Sequence, residues 1–195
     1  CASCHSSWTP RCIGCHNDFD KDEPSAFDLL DKKFTKGQWK EYVAEFSSSM
    51  PALGVRENSE GKMIEPAIPG MIMTIDLNSY SDKTSEEKLL FHRLYAPNSP
   101  HTTTKEVRDC KSCHSNAATL GFGKGMLDYD IKNQKGKWIF TPEYALNSHD
   151  NLPEDAWVPF LKEIDTKTVN STRSDFRPFR LKEQQSLLLV GACLQ

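Results

Sequence analysis

The period of the apolar positions changes several times along the chain. Residues 36–47 (KGQWKEYVAEFS) space Trp39, Val43 and Phe46 at helical intervals, which predicts an amphipathic helix. From 52 to 77 the spacing tightens toward alternation around Glu57-Asn58-Ser59-Glu60-Gly61, then Met71 to Leu77. That pattern predicts a small β element. A second hairpin is expected where Met126 to Ile131 and Lys137 to Thr141 flank the polar run from Lys132 to Gly136. Between the two, Thr84 to Tyr95 opens with a capping box, Thr84 and Glu87, and predicts a helix carrying His92 on its back half. Pro97 and Pro100 close it and leave His101 on a loop. A further helix from about Thr104 should carry Cys110, Cys113 and His114. Residues 153–164 set Trp157, Phe160 and Leu161 at helical spacing after Pro153, with His149 in the preceding loop. Glu183 to Ala192 is helical in pattern and leads into Cys193. Together these predict an α+β fold with much irregular structure, one unit over 1–195, with helices around the cysteine motifs and small β-hairpins between them.

Composition narrows this picture. Only 37% of the 195 residues are hydrophobic, and mean hydropathy is -0.59, lean for a core of aliphatic side chains alone. The net charge of -3 is mild and no basic patch suggests nucleic acid. The longest apolar run, Ser186 to Leu194, is too short for a transmembrane segment. No signal peptide precedes Cys1. The chain opens on a motif cysteine and ends just after another cysteine, so it reads as the ordered part of a longer exported protein.

Six of the seven cysteines fall into three copies of one pattern. Cys1-Ala2-Ser3-Cys4-His5, Cys12-Ile13-Gly14-Cys15-His16 and Cys110-Lys111-Ser112-Cys113-His114 are each C-x-x-C-H, the attachment signature of c-type haem (heme c). Two thiols one helical turn apart reach the two vinyl groups on one porphyrin edge. The histidine after the second thiol then lies beneath the ring and offers a nitrogen to the iron. Zinc ligation and a thioredoxin-like pair also use C-x-x-C, but neither calls for a histidine directly after each pair. Chance would give about 0.01 such matches in a chain of this composition. Three porphyrins would also supply the apolar bodies that the composition lacks.

Six histidines are present; beyond His5, His16 and His114 in the motifs, His92, His101 and His149 remain. Three irons ligated by histidine on both faces need three distal histidines, so these are the candidate metal ligands. Met50, Met63, Met71, Met73 and Met126 are the competing axial donors, most of them better read as packing residues. Cys193 reads either as the first cysteine of a truncated fourth motif, implying a fourth haem, or as a free thiol. Eleven steps separate His5 from His16, at most about 38 Å of extended chain. The first two haems are therefore expected to lie close together, with Trp8 packed on a porphyrin face.

CASCHSSWTPRCIGCH, and more loosely RDCKSCHSNAATLGFGKG, resemble the haem motifs of multihaem c-type cytochromes from the periplasm or cell exterior of anaerobic, metal- and sulfur-cycling bacteria. That resemblance implies bis-histidine haems stacked into an electron-conducting chain, often within a larger assembly. The haem-free stretches 17–109 and 115–192 depart from the densest members of that family.

The expected function is electron transport through three haems, with saturated iron passing electrons to other redox proteins or multihaem cytochromes, or through self-association into a conducting chain. An electron carrier is expected rather than an enzyme. The alternative is part of a multihaem oxidoreductase that reduces a nitrogen or sulfur oxyanion at an open haem. No C-x-x-C-K variant supports that alternative.

Overall fold

The computed structural model describes residues 1–23, 26–28, 32–76, 89–99, 103–132 and 135–195. In chain order the elements are α1 (Ala2–His5), β1 (Thr9–Asp20), β2 (Ala26–Asp28), β3 (Lys33–Thr35), β4 (Gln38–Ser49), β5 (Ala52–Asn58), β6 (Gly61–Asp76) and β7 (Leu89–Pro97). Then come α2 (Cys110–His114), α3 (Ala117–Leu120), β8 (Gly125–Lys132), β9 (Lys135–Pro142), β10 (Val169–Ser171), β11 (Phe176–Arg177) and α4 (Leu181–Ala192).

A mixed seven-stranded sheet runs β10-β7-β6-β1-β4, with β5 paired to β6 and β11 to β5. The β1·β6 and β10·β7 pairs are parallel and the rest antiparallel. The first half of β6 pairs with β5, where Asn58 opposite Gly61 leaves a two-residue turn. Its second half lies between β1 and β7, with a register shift between Ile68 and Met71. β8 and β9 form the second hairpin, at the place the pattern predicts.

The architecture corrects the α+β expectation of helices arranged around the motifs. Among the described residues strands dominate, and α1, α2 and α3 have only 4, 5 and 4 residues. The helix expected over 36–47 is instead β4, paired along its length with β1. Its aromatic and β-branched content suits a strand once a partner is present. His92 is on a strand as well, because β7 alternates Phe91, Arg93 and Tyr95 inward with His92 and Leu94 less buried. The expected capping box at Thr84 and Glu87 lies outside the described residues, as does His101.

The segment 153–164 forms turns rather than a helix. Its first carbonyls are already taken by the Arg93 guanidinium, which donates to Pro153 O at 2.9 Å, Glu154 O at 3.3 Å and Ala156 O at 2.6 Å. Arg93 is 1% exposed and also holds Asp150 through contacts of 2.5 and 2.9 Å. A buried cation that binds consecutive carbonyls fixes an irregular path that helical hydrogen bonding would abolish.

The core gathers on this side of the sheet. Tyr95 stacks on Trp157 and Phe176, while Phe122, Phe140 and Phe160 pack edge-on and tilted. Leu188 of α4 and Trp138 of β9 close it, and the Trp138 indole N–H donates to Leu188 O at 3.1 Å. No helix among the described residues is long and apolar enough to cross a membrane.

Candidate functional site

Two of the three C-x-x-C-H motifs are helical, and long-range contacts orient the histidine in each. In α1, the His5 Nδ1 lies 2.9 Å from Thr104 O. In α2, the His114 Nδ1 lies 3.0 Å from Leu187 O. A carbonyl only accepts, so in each ring Nδ1 carries the proton and Nε2 keeps its lone pair. Among the described residues neither Nε2 has a partner. Cys1, Cys4 and Cys110 are exposed, and Cys113 and both histidines are half-buried.

Local chemistry explains the α2 turn. Asp109 is its N-cap, accepting from Ser112 N at 2.7 Å, and this hydrogen bond holds the Asp109 carboxyl below its ordinary pKa. The other side of α2 is set by α4. Gly191 packs so tightly against His114 that a Cβ there would lie 2.2 Å from its carbonyl oxygen. The start of α4 is tied to β5 by Arg177, which donates to Glu183 at 2.7 Å and to Glu57 at 3.0 Å. Arg177, then Lys62, pull Glu57 down to about 2.

The first and third motifs are neighbours. Thr104 N donates to His5 O and Arg108 N to Cys4 O, both at 3.0 Å, and Ser6 bridges to Thr103. The Arg108 guanidinium donates to Pro51 O at 2.7 Å and Thr119 Oγ1 at 3.3 Å, with the Cys113 and Cys4 sulfurs in its electrostatic range. Burial pushes its pKa down while the two sulfurs oppose that shift. Beside this pair, Val55, Met63, Ile64, Phe179 and Leu187 line an apolar groove of about 400 Å³. The Ser3 hydroxyl donates to Ile64 O at its edge. The expectation paired the first motif with the second instead.

The second motif is extended. Cys12, Cys15 and His16 lie in β1 opposite Phe46, Val43 and Tyr42. Three residues of strand span about 10 Å, against about 5 Å for a helical turn. As placed, this motif lacks the helical turn that α1 and α2 have. His16 shares a cross-strand row with Tyr42, Thr74 and Phe91. His149, exposed on its loop, stacks on Phe91 at 4.8 Å, so His16 and His149 lie on one face. A cavity of about 250 Å³ between His16, Thr74 and Asn147 opens there.

His92 is half-buried in β7 opposite Met73. Cys193 is the exposed C-cap of α4, its thiol 3.7 Å from Leu189 O. Among the described residues no three His, Cys, Asp or Glu side chains converge as a metal site. Sequence reasoning missed Arg108 and the Leu187 carbonyl. Arg108-Asp109 directly before Cys110 did carry a legible cap signal, but nothing local marks a carbonyl 73 residues away.

Comparison with protein-family models, curated proteins and solved structures gives no match.

Proposed function

We propose that this chain is an electron carrier of the c-type cytochrome kind, working outside the cytoplasm in the periplasm or at the cell exterior. Cys1, Cys4 and His5, and Cys110, Cys113 and His114, are the residues that hold haem at the first and third sites. The observation that carries the reading is the shared arrangement of His5 and His114: each ring is locked through Nδ1 by a backbone carbonyl and presents an unpartnered Nε2. This is how metal-binding imidazoles are oriented and made more basic. Haem iron held there supplies a one-electron couple.

The chain's own contribution is spatial. Residues 103–108 bind the first motif directly and lead into the third, which favours exchange between those two sites. The second motif has the required residue types without the turn, and no electron step is routed through it. His92, His101 and His149 are the proposed distal ligands. The acceptor is another redox protein or a second copy of the chain.

The test is haem stoichiometry by alkaline pyridine absorbance after expression in a cell competent for cytochrome c maturation. Two haems per chain are expected from the helical motifs. Three would also sustain the reading and require β1 to open at Cys12–His16. A chain that matures without haem but retains zinc refutes it. Ferric spectra supply the ligand check: if both His92→Ala and His149→Ala leave every haem low-spin, their distal assignment fails.

A further inference from the structure

We propose that Arg108 is a fixed cation shared by the first and third haem sites, raising the reduction potential of both. This inference rests on the haem-carrier reading and adds to it the residue that tunes the pair.

The position is unusual for an arginine. Its backbone N–H is bonded to the carbonyl of Cys4, in one motif, while its side chain, two residues before Cys110, is in electrostatic range of Cys113, in another. The guanidinium is anchored on neutral oxygens only, Pro51 O and Thr119 Oγ1. Among the described residues no carboxylate pairs with it, and its Nε is buried without a partner. A guanidinium does not lose its proton in a protein, so the charge stays.

Cysteine sulfurs attach at the vinyl edge of a porphyrin, opposite the propionates. A cation held beside both motifs would therefore face two haems from the cysteine side, away from their propionates. Ferric haem carries one more positive charge than ferrous, so a nearby cation disfavours the ferric form of both. A unit charge about 10 Å from an iron, in an effective dielectric of about 20, changes the equilibrium by roughly tenfold. For a one-electron couple tenfold corresponds to 59 mV.

The experiment is a haem-resolved spectroelectrochemical titration of the wild-type holoprotein, Arg108→Gln and Arg108→Lys. Haem count and low-spin spectra are checked first. With Arg108→Gln, the midpoints of two haems should fall by an amount near the tenfold equivalent, while any haem on the second motif keeps its value. Arg108→Lys should restore most of the shift, because it retains charge while losing the fork geometry. Unchanged midpoints in Arg108→Gln overturn the proposal. So does an equal fall in Arg108→Lys, which would assign the residue a packing role only. A wild-type chain that attaches no haem fails at the first check, and that result refutes the carrier reading rather than the placement of the charge.

Discussion

Replacing Gly191 with alanine tests the seat of the third motif. The new methyl would lie 2.2 Å from His114 O, with the Trp138 ring 3.2 Å away. The obstructing atom is backbone within α2, so no side chain can swing aside and the helices must part by about 1 Å. Overpacking of that kind costs about 1–3 kcal/mol. Alanine's better helix propensity offsets about 1 kcal/mol. The net expectation is a destabilisation of up to about 2 kcal/mol, which for a chain of this size lowers Tm by up to about 8 °C. Thermal unfolding followed by circular dichroism, with a urea titration beside it, measures this. Leu189→Ala is the control: Leu189 is on the same helix but 73% exposed, and should change stability by no more than about 0.5 kcal/mol. If Gly191→Ala exceeds the parent in stability, α4 does not lie on α2 as described, and the orientation of His114 by Leu187 falls with it.

Arg93→Met should cost about 3–5 kcal/mol in urea unfolding, because it leaves the Asp150 carboxylate and several carbonyls without their buried donor; a loss below about 1 kcal/mol would reject its role as the staple of residues 150–156. Glu57 gives a pH signature. Its folded pKa is depressed to about 2 from 4.5, so its stabilising contribution is present above the unfolded value and is lost as pH falls from about 4.5 to about 2. The stability gap between wild type and Glu57→Gln should therefore narrow over that range, and a gap independent of pH contradicts the Arg177 contact. Asn116→Ala should remove the cap on Thr119 N at the start of α3 and cost about 1 kcal/mol in the same unfolding assay; no change would show that another group takes over that amide.

What was legible in the sequence follows the range of the interactions involved. The β5–β6 hairpin could be read because its turn, Ser59-Glu60, and its alternation are local. β4 could not, since Trp39, Val43 and Phe46 fit a helix equally well until β1 supplies their partners Phe19, Cys15 and Cys12 from upstream. In β7 a buried arginine sits among the apolar inward positions, and its counter-charge Asp150 comes 57 residues later, so a period search has nothing to find. The C-x-x-C-H spacing identified residues able to carry one chemistry. It did not determine that α1 and α2 would wind into turns while residues 12–16 were drawn into a strand.

Both histidine-orienting carbonyls come late in the chain. Thr104 lies 99 residues after His5 and Leu187 lies 73 after His114. At synthesis rates of about 5–20 residues per second, each cysteine pair exists for seconds as open peptide before its partner segment has been made. The two loops differ in closure entropy by only about 0.3 kcal/mol, so neither gains a large head start from length alone. Each cysteine motif therefore emerges before the carbonyl that orients its histidine has been made.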